Sequence, residues 1–447
     1  MFRKIENQLK EWKADNNKKA LLITGARQIG KSYIVREFGK NNYKSFIELN
    51  FLEEPRLMRI FSGDLNAQTI LMNLSAFFKA PMPEKETLIF IDEIQECPNA
   101  RTAIKFLVED GRYDYIESGS LLGVRYKEVS SYPVGYEKIL NMYPMDFEEF
   151  CIASGINPDV ITYLKECFEK KETPTEAIHE KMLELFRYYL ITGGMPDVVK
   201  TFFETHNIGK VVEIQKNILE LYRKDITKYS SNNKSEITKI FDLLPSQLAE
   251  KNRRFKLSSI NTKARLREYE DAFQWLKDAG VALPCFNLTE PVIPLKINEQ
   301  SRLFRLFMGD TGLLCAMCLE NVQFEILSGN ISVNMGSILE NVFAQLFVAA
   351  GFNIRYLNKT KVGELDFVLQ QGGEVIAVEI KSGKDYHSHA ALDNALKIKD
   401  WKLSKGIVFC GGQLEDTDKI LYLPWYMVMF LKQKDLKDIT VDFSPII

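Results

Sequence analysis

ITGARQIGKSYIVREF (residues 23–38) runs from an apolar, strand-like start into an amphipathic helix, with GARQIGKS from Gly25 to Ser32 between them. Gly25 and Gly30 can take positive φ and approach an anion closely. The main chain through Gly25, Ala26, Arg27, Gln28, Ile29 and Gly30 can therefore ring a phosphate with N–H groups at a helix start. Lys31 is spaced to reach the β- and γ-phosphates of a nucleotide, and the Ser32 hydroxyl to bind Mg²⁺. The flanks agree, because ALLIT (20–24) reads as a buried strand and KSYIVREFG (31–39) has helical spacing. GxxxxGKS in this setting is the P-loop pattern.

A partner element follows some sixty residues on. TLIFIDEIQ (87–95) is a strand that ends in Asp92 and Glu93. Asp92 is expected to hold Mg²⁺ through water, and Glu93 to orient or deprotonate the water that attacks the γ-phosphate. YDYIESGSLLG (113–123) is a further strand closing on Ser118 and Ser120, and YKSFIELNF (43–51) another strand candidate. Strands alternating with helices to about residue 120 predict a parallel sheet covered on both faces.

The totals set the frame. A chain of 447 residues with 46% hydrophobic and 26% charged residues is expected to fold as several globular domains. Its formal net charge of −2 excludes a global attraction to nucleic acid and leaves only local patches. No apolar run, LPWYMVMFL (423–431) included, approaches the roughly 20 residues of a bilayer crossing, and MFRKIENQLKEWK lacks a signal-peptide core. A cytoplasmic setting without a membrane partner is expected. Seven scattered cysteines fit a reducing compartment. Cys315 and Cys318 read as small buried residues on an apolar helix rather than half a zinc site.

With YPMDFEEF (143–150), GGMPDVV (193–199), FMGDTGLL (307–314) and LENVFAQLF (339–347), the chain resembles bacterial and archaeal AAA-type ATPases of about this length, whose C-terminal part was catalogued as a domain of unknown function. The resemblance implies ATP as the nucleotide, and a sensor role for Ser118 or Ser120 toward the γ-phosphate or the lytic water. Gly135 is followed by Tyr136 where that family often has a glycine-arginine pair. An arginine finger from that place is therefore not expected; Arg112 and Arg125 read as solvated surface residues.

Residues 146 to 228 read as successive helices broken at GGMP, and SSNNKS (230–235) marks a boundary. Three helices and short extended pieces follow, the layout of a winged helix. Within it, KNRRFKLSSINTKARLR (251–267) carries Lys251, Arg253, Arg254, Lys256, Lys263, Arg265 and Arg267 and no acid. Such a patch suits contact with phosphate backbones, DNA before RNA.

In the last part, period-two alternation puts Glu379 and Lys381 on one face of VIAVEIK, while Asp366 sits mid-strand in GELDFVL, where an unpaired carboxylate is costly. With Glu340 on the preceding helix, this set resembles the PD-(D/E)xK restriction-endonuclease-like fold. The resemblance implies that Asp366 and Glu379 ligate Mg²⁺, that Glu340 supports the metal, and that Lys381 positions water or stabilises the phosphorane. His387 and His389 read as a solvated turn before a helix.

The expected fold class is therefore α/β: an AAA-type P-loop domain (1–155), a helical lid or linker (156–230), a winged helix (231–322) and a nuclease-like domain (323–447). The expected function is Mg²⁺-dependent ATP hydrolysis coupled to a DNA-binding, nuclease-like domain. The other reading is a nucleotide-governed switch or adaptor that binds a protein partner through a silent nuclease-like scaffold. A homo-oligomer is left open.

Overall fold

Ala20–Thr24 forms β1, flanked on one side by β4 (Asp114–Gly119) and on the other by β5 (Glu137–Asn141). β2 (Ser45–Asn50) and β3 (Thr87–Asp92) complete a five-stranded sheet of order β2-β3-β4-β1-β5, with every pairing parallel. All six residues of β3 are buried, as a central strand covered on both faces requires. Leu22, Ile47, Leu49, Ile89 and Ile91 from the sheet pack with Ile104 and Leu107 of the helix Pro98–Asp110. Each such side chain is worth about 1.5–3 kcal/mol when withdrawn from water.

The computed structural model describes residues 1–119, 133–229, 234–250, 253–262, 264–318, 323, 326–327 and 335–433. Ser120, Arg125, Lys251 and Lys263 lie outside them. The chain divides into two compact units. The first comprises Met1–Met145, Gly193–Asp242 and Ile260–Ala282; the second comprises Asp146–Thr192, Leu243–Ser259 and Leu283–Ile447.

The second unit is built on an eight-stranded mixed sheet of order β12-β13-β11-β10-β9-β8-β6-β7. Its strands are β6 (Ala282–Leu288), β7 (Glu299–Met308), β8 (Arg355–Lys359), β9 (Gly363–Gln371), β10 (Glu374–Ile380), β11 (Gly406–Cys410), β12 (Glu415–Asp416) and β13 (Ile420–Pro424). The helix Met335–Ala349 packs Phe343 on Phe409 and Phe347 on Phe367, with ring centroids 4.7 and 5.4 Å apart. No described helix is long and apolar enough to cross a membrane.

The stretch expected to form a winged helix is shared out instead. Its helix Leu266–Asp278 belongs to the first unit, while β6 pairs in parallel with β8, Phe286 opposite Arg355. The reason is burial: Cys285, Leu288 and the run Phe304–Met308 lose almost all contact with water only as members of a larger sheet. The helical stretch 146–228 divides too, at Gly193.

The quoted motifs YPMDFEEF, GGMPDVV, FMGDTGLL and LENVFAQLF sit at joints between elements. Asp146 caps the helix Phe147–Ala153, accepting from the Glu149 amide at 2.9 Å while Glu149 accepts from the Asp146 amide at 3.1 Å, a reciprocal capping box. Gly194 lies so close to Met145 that a Cβ there would sit 2.1 Å from the Met145 carbonyl oxygen. Asp310 caps the helix Thr311–Met317. Asn341 and Gln345 are buried and bond the Met308 and Thr311 backbone, which ties the helix Met335–Ala349 to β7 and the short helix after it.

Candidate functional site

The loop after β1 has the conformation its glycines allow. Gly25 stands at φ 144°, Gln28 at 67° and Gly30 at 88°, and a Cβ on Gly25 would lie 2.1 Å from the Met142 carbonyl oxygen. Helix Lys31–Asn42 starts with neither a side-chain cap nor an acidic residue in its first turn, which leaves its N-terminal amides for an anion. Lys31 turns back over the loop, donating to the carbonyls of Gly25 at 3.0 Å and Ala26 at 2.8 Å. Burial pushes the Lys31 ammonium down to about 8, against the pull of Glu93 and Asp92. An arriving phosphate would restore the charge that burial removes.

Asp92 ends β3 at the floor of this loop. Ser32 Oγ donates to its Oδ1 at 3.0 Å, Ser118 Oγ donates to the same oxygen, and Asn50 Nδ2 reaches Oδ2 at 3.4 Å. A hydroxyl and a carboxylate at this separation, both only part of a ligand shell, fit an octahedral Mg²⁺ that keeps water and phosphate oxygens. Glu93 leaves the strand in the left-handed region at φ 53°, and its carboxylate accepts from Gln95. Three residues here were not read from the sequence. Asn50 is opposite Asp92 across β2 and β3, Arg36 grips Glu48 with two nitrogens, and Arg3 holds the Ile29 carbonyl at 2.9 Å. The strand end at Asn50 was a usable signal; the other two had none.

In the second unit, Glu340, Asp366 and Glu379 converge. Asp366 Oδ2 accepts from the Ile380 amide at 2.8 Å, and Lys381 Nζ lies 2.9 Å from Glu379 Oε1. Glu379 Oε2 is buried with no partner among the described residues. Burial first, and then the Asp366 charge, push Glu379 up to about 8, with Lys381 opposing. The unpartnered Glu379 oxygen and the neighbouring Asp366 carboxylate are of the oxygen-donor type that a divalent cation takes. Glu340 is in side-chain hydrogen-bond contact with Asp366, and its two oxygens also face Arg253 Nη1 at 2.5 Å and Arg305 Nη1 at 3.3 Å. Arg305 has no exposure at all; it also pairs with Glu364 and lies 4.2 Å from the centre of the Tyr356 ring. Burial and Asp366 hold the Glu340 carboxyl well above its usual range despite both arginines. No group of three or more His, Cys, Asp or Glu among the described residues is arranged for a metal ion.

Residues 17–151 match the family model of an AAA domain. The N-terminal part of the chain is thus an AAA-type P-loop domain. After this AAA domain, residues 183–323 match the domain of unknown function DUF8612, and residues 335–427 match the domain of unknown function DUF4143. No curated protein matches the sequence. Among solved structures, the Walker-type ATPase PABY2304 of Pyrococcus abyssi is 13% identical, covering 71% of this chain and 96% of its own, at a TM-score of 0.41. RuvB of Thermotoga maritima, as a variant, is 13% identical over 62% of this chain and 87% of its own, at 0.30. The ORC1 protein of Aeropyrum pernix, solved in complex with DNA, is 12% identical over 70% and 90%, at 0.25.

The basic stretch contributes residues to both units. Arg253, partly exposed, pairs with Glu340, and Lys256 pairs with Glu250, each at 2.5 Å. Arg254, Arg265 and Arg267 are exposed, the first in one unit and the other two in the other. Arg112 pairs with Asp110 at 2.7 Å. His387 is exposed and near Glu415, as a turn residue should be, but His389 is buried with Nε2 2.7 Å from the Tyr422 hydroxyl. The aromatic face of β13 claims it. Cys315 is buried and donates to the Leu190 carbonyl at 3.3 Å.

Proposed function

We propose that the AAA domain binds and hydrolyses ATP with Mg²⁺, and that the second unit is a nuclease-like fold that holds or cuts nucleic acid, DNA first. The observation carrying the first half is the convergence of Ser32, Ser118 and Asn50 on Asp92 directly beneath the loop that Lys31 closes. Bound Mg²⁺ would supply charge neutralisation on the β- and γ-phosphate oxygens. Ser32 and Asp92 would hold the ion, and Ser118 would fix the carboxylate that orients it. The loop amides from Gly25 to Gly30 bind the β-phosphate, and Lys31 exchanges two carbonyls for phosphate oxygens. Glu93 accepts a proton from the water aligned with the γ-phosphate. Calorimetric ATP binding that vanishes in Lys31→Ala, with turnover lost and binding kept in Glu93→Gln, is the expected result. Unchanged turnover in Glu93→Gln removes the assignment.

For the second unit, the buried pair Asp366 and Glu379 beside Lys381 supports the nuclease-like reading. Arg254, Arg265 and Arg267 remain as exposed candidates for phosphate contacts. A second reading, the nucleotide-governed adaptor with a silent scaffold, draws on the two arginines that neutralise Glu340. Metal-dependent cleavage of DNA that disappears in Glu379→Ala and persists in Lys31→Ala decides for the nuclease. Absence of cleavage across DNA and RNA substrates decides for the scaffold.

A further inference from the structure

Arg27 lies inside the phosphate loop, yet its side chain is held from behind. The helix Ile208–Tyr229 presents Tyr222 and Asp225, three residues apart and so on one face. The Tyr222 hydroxyl donates to the Arg27 carbonyl at 3.1 Å, and Asp225 pairs with the Arg27 guanidinium. One helix thus grips both the main chain and the side chain of one loop residue. Two further elements of the same unit touch the loop. A Cβ on Gly280 would stand 3.0 Å from the Ala26 nitrogen, and one on Gly30 would stand 3.7 Å from Pro196.

The pair is unequal. Asp225 is buried, with 8% of its side chain exposed, whereas 35% of Arg27 is exposed. The guanidinium end of the pair faces solvent, while the carboxylate end is largely shielded from it. Arg27 also stands close enough to Lys31 for its charge to disfavour the Lys31 ammonium. Asp225 is the acid paired with Arg27, while Lys31 feels Glu93 and Asp92. A polyphosphate arriving on the loop amides competes with Asp225 for the guanidinium, since both offer charged oxygens to the same planar donor.

We propose that Arg27 is the nucleotide-sensing residue of this site: it pairs with Asp225 when the loop holds no phosphate, and transfers to the phosphates when nucleotide binds. Asp225, left buried without its counter-charge, then displaces the helix Ile208–Tyr229 toward solvent. Loop occupancy is so converted into movement of an element with no phosphate contact of its own. This inference rests on the ATPase reading.

The test uses opposite signs. Asp225→Asn and Arg27→Gln break the same ion pair, so a purely structural pair would weaken nucleotide binding in both. On the proposal, Asp225→Asn removes the charged competitor for the guanidinium and tightens binding of Mg-ATPγS by roughly tenfold, while Arg27→Gln weakens it by roughly tenfold, each near the value of one charge-assisted hydrogen bond. Hydrogen exchange gives the second readout. In the wild-type chain, Mg-ATPγS should speed exchange of amides in 208–229, and in Arg27→Gln it should not. Binding changes of the same sign in both variants, or wild-type exchange in 208–229 indifferent to nucleotide, overturns the proposal and leaves the ATPase reading standing. No nucleotide uptake by the wild-type chain overturns both.

Discussion

Arg101→Met removes the one cation from a buried cluster and leaves its two acids in place. Arg101, with 4% of its side chain exposed, donates to Glu117 at 2.6 Å and grips Glu137 with two nitrogens, one of them at 2.6 Å. Glu117 is on β4 next to Ser118 and is fully buried. Breaking such a pair from one side costs about 3–5 kcal/mol, because the remaining charge stays desolvated. The cost depends on pH, with a definite sign. Burial, and the charge of Glu137, push Glu117 up to about 8 from an ordinary 4.5, with Arg101 pulling it down. A raised folded-state value means that the proton favours the native state. The stability linked to it is fully present below about pH 4.5 and is lost as pH rises through about 8. Without Arg101 the value climbs further, so the native state goes on losing stability at pH values where the wild type has levelled off. The penalty of Arg101→Met should therefore be larger at pH 9 than at pH 6. Because the chain has two units, a single unfolding midpoint is ill defined. Hydrogen exchange of peptides covering residues 101–119, corrected for intrinsic rates, reads the local stability directly. Adding Glu117→Gln to Arg101→Met should flatten the pH dependence and recover part of the loss. A penalty under about 1 kcal/mol at pH 9, or one larger at pH 6, refutes the reasoning.

Gly25→Ala should abolish nucleotide binding without unfolding the unit, since its Cβ meets the Met142 carbonyl and its φ of 144° excludes side chains; near-normal ATP affinity by calorimetry would contradict this. Asp92→Asn should lower turnover by about 10²–10³-fold at saturating Mg-ATP, as expected for loss of metal positioning, and a drop under tenfold would count against its role. Arg305→Met should destabilise the second unit by about 3–5 kcal/mol in exchange-based unfolding, with Glu340→Gln recovering part; an unaltered second unit would mean that the pair carries no load. Divalent-ion binding at Asp366 and Glu379 should release close to one proton at pH 7 and almost none at pH 9, because Glu379 stands at about 8. Calorimetry in two buffers of different ionisation heat measures that release, and heats independent of buffer at pH 7 would exclude Glu379 as a ligand.

The parallel sheet and its loop were legible because local signals suffice for them. A phosphate loop needs its glycines, lysine and serine within eight positions, and β3 carries its own acid at its own end. The family motifs were legible as patterns but not as causes. YPMDFEEF and FMGDTGLL encode helix caps, and GGMP a close approach of backbone to backbone, which are requirements of folding rather than chemistry. The winged-helix stretch was legible only as a count of elements. Helix, helix, helix and two strands can be counted along the chain, but which sheet the strands join depends on β8, nearly seventy residues after β6.

The countercharges were the least legible feature. Glu340, Asp366 and Glu379 each declare themselves by place in a helix or strand, yet nothing beside Arg305 or Arg253 indicates an acid far along the chain. Alternation finds a buried charge, but only the fold supplies its partner. The consequence reaches the function. Four carboxylates, Glu340, Glu364, Asp366 and Glu379, face three cations, Arg253, Arg305 and Lys381. Burial has moved Glu379 to where the proton is held near neutral pH. On the reading proposed above, a divalent ion held by Asp366 and Glu379 would displace that proton. A single carboxylate oxygen, Glu379 Oε2, buried and without a partner among the described residues, is the position at which proton and ion would compete.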